Sequence, residues 1–214
     1  MKLRPFGLSV VTLAVWLGGA AQLSAQIRTP EAKAPGGGHL ETTYRGGVVT
    51  PPLPKPKFTL MDTSGTPFDF WSETQGYVTI LLFGYAHCPD VCPMHMSVVA
   101  SALRTLPADV ADRVKVVFVT TDPKRDNPRF LRTWLDHFDK HIIGLTGDET
   151  AIQAAQTAAN VPVANSDPSY EHSAFALAYT KDNLAHVIYP SGIKQTDWIH
   201  DLPLLVKSSW APLK

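Results

Sequence analysis

Tyr77-Val78-Thr79-Ile80-Leu81-Leu82-Phe83-Gly84-Tyr85 runs directly into Ala86-His87-Cys88-Pro89-Asp90-Val91-Cys92-Pro93. The first half is dense in β-branched and aromatic residues, the composition of a strand buried on both faces. Beyond Pro93, the residues Val98, Val99, Ala102, Leu103 and Leu106 recur at helical spacing. A proline suits the first turn of such a helix, where the N–H it lacks would have no partner. A buried strand passing into a helix predicts an α/β unit. Its two cysteines then lie at the carboxyl end of the strand, where α/β folds place their sites.

The same alternation continues downstream. Val114 to Thr120 predicts a second core strand, and Asn127-Pro128 opens a helix with a buried stripe of Phe130, Leu131, Trp134, Leu135 and Phe138. Ile142 to Leu145 reads as a short strand, and Thr146-Gly147-Asp148-Glu149 matches a capping box before an alanine-rich helix to Ala159. Phe175–Tyr179 and Ala185–Tyr189 flank Lys181-Asp182-Asn183, a hairpin signal. A last helix is expected from about Thr196 to Ser209, with Pro203 in its first turns or kinking it. Upstream, Phe58–Met61 and Pro67–Phe70 flank the turn residues Asp62-Thr63-Ser64-Gly65. Alternating strands and helices predict an α/β fold with a largely parallel central sheet. With an N-terminal β-hairpin and a C-terminal hairpin plus helix, the layout is thioredoxin-like and is expected over residues 58–214.

The chain has 214 residues, 19 basic and 19 acidic, so its formal net charge is zero. That balance argues against a nucleic-acid partner, which calls for a basic excess. Hydrophobic residues make up 44%, too few for a multi-span membrane protein. Lys2 and Arg4 are followed by an uncharged, largely apolar stretch to Ile27, with Leu23-Ser24-Ala25 before Gln26. Residues 1–25 are therefore expected to be either a cleaved signal peptide or a retained single-span membrane anchor. Both place the domain outside the cytoplasm. Residues 26–57, rich in Pro, Gly and Thr, read as an extended linker rather than a folded element.

Two cysteines cannot form a disulfide framework, so Cys88 and Cys92 act as one pair. At a helix N-terminus a thiol pKa falls towards the thiolate, the form that binds metal or attacks a disulfide. A spacing of four brings both sulfurs to one side of a helical turn, which allows a shared metal or a disulfide. A disulfide closing so short a loop removes little unfolded-state entropy, so it would make a poor staple. Asp90, between the cysteines, can accept backbone N–H bonds and orient the sulfurs. Asp122 follows a strand end on the same rim, while Lys124, Arg125 and Asp126 read as a solvated loop. Of the eight histidines, His87 is expected to turn its ring away from the cysteines and His95 to face solvent.

The segment Leu82 to Pro93 closely resembles a motif of the Sco/SenC family of copper-binding cytochrome oxidase assembly proteins. Thr121-Asp122-Pro123-Lys124-Arg125-Asp126 resembles its second motif, Gly144-Leu145-Thr146-Gly147 its third and His172-Ser173-Ala174 its fourth, all in family order. The resemblance implies a thioredoxin-like fold and a copper site made of Cys88, Cys92 and His172; Asp122 also matches the family's motif, and Asp90 and Asp122 are the candidates to support the ligands from behind. Two soft thiolates and an imidazole suit Cu(I), and hold Cu(II) with an added ligand. Zinc accepts the same donor types. The resemblance further implies a copper chaperone in the periplasm or on the outer face of the inner membrane. Its partners would be the copper-site subunit of cytochrome c oxidase and a thiol reductant or upstream copper donor. The alternative is a thiol–disulfide oxidoreductase, a redox-active pair in which Cys88 attacks and Cys92 resolves without need of His172. One departure is Glu171, where the family commonly has Asp before the histidine.

Overall fold

The computed structural model describes residues 43–163 and 175–210, all within one unit, Glu41–Lys214. In chain order come β1 (Gly47–Pro54), β2 (Thr59–Asp62), β3 (Pro67–Asp69), α1 (Phe70–Glu73), β4 (Val78–Gly84), α2 (Val91–Thr105) and α3 (Ala108–Ala111). They are followed by β5 (Val114–Thr120), α4 (Pro128–Asp136), β6 (Ile143–Thr146), α5 (Glu149–Ala158), β7 (Phe175–Tyr179), β8 (Leu184–Pro190) and α6 (Gln195–Lys207). The strands form one sheet in the order β1-β8-β7-β4-β5-β6-β2-β3. β4, β5 and β6 are parallel, and β7 pairs antiparallel on the other side of β4. This is the expected α/β, thioredoxin-like layout, with its N-terminal hairpin β2–β3 and its closing β7–β8 hairpin and α6. The sheet is not largely parallel as expected: only β4–β5 and β5–β6 pair in parallel, and the other pairings among the described residues are antiparallel.

Every residue of β4 is buried because helices cover both faces of the sheet. Ile80 and Leu82 join Met96 and Val99 of α2, Leu131 and Leu135 of α4, and Trp198 and Leu202 of α6. Leu81 and Phe83, turned to the opposite face by the strand pleat, pack with Phe70 of α1 and Ile152 and Ala155 of α5. The crossover β4–α2–β5 therefore brings the segment between the cysteines to the top edge of the sheet, beside the end of β5.

Some expectations are corrected here. Residues 47–54, expected within the 26–57 linker, form β1 on the sheet edge, with Gly47 opposite Ile188 and Pro54 opposite Leu184. A strand paired on one side only tolerates Pro51, Pro52 and Pro54, whose missing N–H groups need no second partner. Phe130 leaves the buried stripe of α4 and is 38% exposed. The alanine-rich helix is capped by Asp148, which accepts the Ala151 N–H, rather than by Thr146. Of the two placements expected for Pro203, it takes the interior of α6 rather than the first turns. The 1–25 segment, His172 and Glu171 lie outside the described residues. Among the described residues no helix is long and apolar enough to cross a membrane.

The chain ahead of β1 is pinned by a carboxylate of α6. Asp201, fully buried, accepts the Arg45 N–H through both oxygens at 3.0 and 2.9 Å. It also accepts the Gly46 N–H at 3.0 Å and the Tyr189 hydroxyl at 2.9 Å. Gly46 must be glycine to pass this close, since a Cβ there would lie 2.4 Å from Val187.

Candidate metal centre

The site begins where β4 stops. Gly84 carries no side chain, and a Cβ there would sit 2.7 Å from the Cys92 sulfur. The strand's last residue is thus the floor on which that sulfur rests. Cys92 is the second residue of α2, and its own N–H is directed at the Cys88 sulfur at 3.5 Å. The N–H groups of Asp90 and Val91 also converge on Cys88. These are the orphan donors that every helix N-terminus presents. The Cys88 sulfur therefore fills the place of a helix cap.

This arrangement explains why Asp90 does not do what its position suggested. It is the N-cap residue of α2, but its side chain makes no capping hydrogen bond and is exposed. The sulfur has taken the donors that the carboxylate would have accepted. Asp122 is buried and ion-paired with Arg125, whose guanidinium lies 5.6 Å from the centre of the Tyr85 ring. The Tyr85 hydroxyl in turn hydrogen-bonds Cys88. Among the described residues, Asp122 is thus linked to the cysteines through Arg125 and Tyr85.

The two cysteines are free thiols, both buried, and they hydrogen-bond each other. Burial pushes the Cys88 thiol up, but the N–H groups of Cys92, Asp90 and Val91 outweigh it and leave the thiol below its usual value. Cys92 has fewer donors. Burial raises it, the Tyr85 N–H opposes this, and the neighbouring Cys88 and Asp126 add to the rise, so it is pushed up to about 12. The proton is therefore held less tightly by Cys88 than by Cys92. Iodoacetamide is accordingly expected to modify Cys88 at least about tenfold faster than Cys92, because the thiolate is the reactive form. Peptide mapping of singly labelled protein checks this; equal labelling would show that the pair is not so polarised.

The rival histidines are engaged elsewhere. His87 Nδ1 lies 2.7 Å from Asp126, and its ring stacks on Phe130 with centroids 4.5 Å apart. His95 does not face solvent as expected. It is buried, with Nε2 3.0 Å from the Pro190 carbonyl oxygen. Burial holds its pKa below the usual imidazole value, against the opposing effect of that hydrogen bond. Among the described residues no three His, Cys, Asp or Glu side chains converge as a metal cluster.

The SCO1/SenC family model matches residues 50–207. The chain belongs to the SCO1/SenC family. A SCO2-like protein of Rickettsia felis is 31% identical over 176 residues, covering 78% of this chain and 80% of its own. Copper-bound ScoI of Bradyrhizobium japonicum superposes with a TM-score of 0.61 at 30% identity, covering 72% of this chain and 99% of that one. Copper-bound Sco1 of yeast gives a TM-score of 0.64 at 27% identity, covering 76% and 92%.

In this SCO1/SenC protein, sequence reasoning missed Gly84, Tyr85 and Asp126. Gly84 had a readable signal, since a glycine ending a run of large residues marks a close approach. Asp126 had none. Read as part of a solvated loop, it is fully buried and accepts the Ala86 N–H at 2.6 Å and the Thr120 hydroxyl at 2.7 Å.

Proposed function

We propose that this protein is a copper chaperone of the cell envelope that holds copper through Cys88, Cys92 and His172. In this reading it delivers the metal to the copper-site subunit of cytochrome c oxidase. The observation that carries it is the pair of free, hydrogen-bonded thiols over the first turn of α2. Two soft sulfurs already within reach of each other form most of a Cu(I) site without rearrangement. The low thiol of Cys88 gives up its proton readily, as a ligand must. Related proteins solved with copper bound support copper over zinc. In the same reading, residues 1–25 export the domain or tether it to the periplasmic face, and a thiol reductant or copper donor keeps the pair loaded.

A second reading is favoured by the inequality of the two thiols. One low and one high thiol is the arrangement of an attacking and a resolving cysteine in disulfide exchange. His172→Ala separates the two. A chaperone loses at least about tenfold in Cu(I) affinity, about 1.4 kcal/mol, when a ligand is removed. An oxidoreductase keeps its exchange rate in that variant. Competitive Cu(I) titration and exchange with a small disulfide, run on the same reduced preparations, read both. Unchanged copper affinity in the variant would overturn the three-ligand site.

A further inference from the structure

Beneath the cysteine segment lies a carboxylate that the proposed site does not use as a ligand. Asp126 is fully buried, and its Oδ2 accepts both the Ala86 N–H and the Thr120 hydroxyl, at 2.6 and 2.7 Å. Its Oδ1 faces His87 Nδ1 at 2.7 Å. It thereby joins the end of β5 to the two residues that precede Cys88. Both carboxylate oxygens are thus partnered, the second by a ring nitrogen that donates in one tautomer. The nearby guanidinium of Arg125 is committed to Asp122 and is half exposed, so solvent screens much of its charge. Asp126 also acts on the deep sulfur, since its charge helps hold the proton on Cys92.

A fixed buried anion has a consequence for whatever cation the dithiol holds. Two thiolates neutralise Cu(II) and leave Cu(I) with one negative charge in excess. A further negative charge close by, in a medium of lower dielectric than water, therefore favours the divalent ion. We propose that Asp126 is a positioning residue of the cysteine segment whose charge biases the bound copper towards Cu(II). The inference rests on the copper-binding reading above and adds a determinant of oxidation state to it. Asp126 touches neither sulfur in a hydrogen bond; it acts through Ala86, His87 and the local field.

Asp126→Asn separates charge from scaffold. The amide oxygen keeps the Ala86 and Thr120 bonds, and the amide N–H₂ faces a His87 ring nitrogen that serves as acceptor in its other tautomer. Affinities of the full chain for Cu(I) and Cu(II) are measured by competition in wild type and variant. Exchange of the Ala86 amide in the metal-free protein reports whether the segment is still held. The expected result is intact Ala86 protection with a shift of about tenfold towards Cu(I) in the affinity ratio, or about 59 mV upward in the one-electron potential. Intact protection with an unmoved ratio overturns the inference and leaves Asp126 as scaffold only. If Asp126→Asn loses that protection, Asp126→Glu, which keeps the charge, is read beside it: a wild-type affinity ratio in Asp126→Glu with a shifted one in Asp126→Asn supports the inference, and the same shift in both overturns it. A wild-type chain that takes up neither ion sinks the copper reading itself, a different and recognisable failure.

Discussion

Replacing Gly84 with alanine is expected to damage the metal centre more than the fold. The new Cβ would lie 2.7 Å from the Cys92 sulfur, closer than such atoms approach, and 3.2 Å from the Phe118 ring, tighter than most such contacts. Phe118 is packed in the core, so the larger adjustment falls on the sulfur, which moves off the floor of β4. Overpacking of this kind destabilises by about 1–3 kcal/mol, or several degrees in Tm for a domain of this size. The sulfur's displacement also disturbs its bonds to Cys88 and to the Tyr85 N–H, which set the geometry of the pair. Cu(I) affinity should fall at least about tenfold, corresponding to 1.4 kcal/mol or more of lost binding. Thermal unfolding and Cu(I) competition together test it. Native affinity in a folded Gly84→Ala chain would show that the Cys92 sulfur is free to relocate.

Asp201→Ala is expected to produce the largest loss of stability. The wild-type carboxylate gathers the Arg45 and Gly46 N–H groups and the Tyr189 hydroxyl, and His200 Nδ1 lies 2.7 Å from it. Truncation leaves buried donors unpaired at about 1–3 kcal/mol each, for a total of roughly 3–5 kcal/mol. It also releases the segment that leads into β1, so loss of that edge strand accompanies the effect. Urea unfolding checks the magnitude, and amide exchange on β1 checks the route. A change under about 1 kcal/mol would mean that water or a neighbour replaces the carboxylate with ease. For the same reason, a shortened chain starting at residue 58 lacks both β1 and the Asp201 contacts and is a poor vehicle for binding work.

How much of this was legible in the sequence depends on whether a feature is local. β4 and α2 were legible because burial on both faces and a helical period are written in consecutive residues. β1 was not, because Pro51-Pro52-Leu53-Pro54 has the composition of a solvated extended chain; only pairing with β8 makes it an edge strand. Cys88 and Cys92 were placed correctly at the strand-to-helix junction, but the role read for Asp90 passed to the Cys88 sulfur. His95 had a signal that went unused: with Cys92, Met96 and Val99 it falls on the buried face of α2. Asp126 could not be found, because its partners Ala86 and His87 lie 40 and 39 residues away.

Cys88 and Cys92, completed by His172, are proposed to hold one copper ion. X-ray absorption at the copper edge of the reduced, copper-loaded full chain tests it most directly. Wild type should show two sulfur scatterers and one imidazole, and His172→Ala should keep the sulfurs and lose the imidazole. A single sulfur in wild type, or an imidazole that persists in the variant, would contradict the site described here.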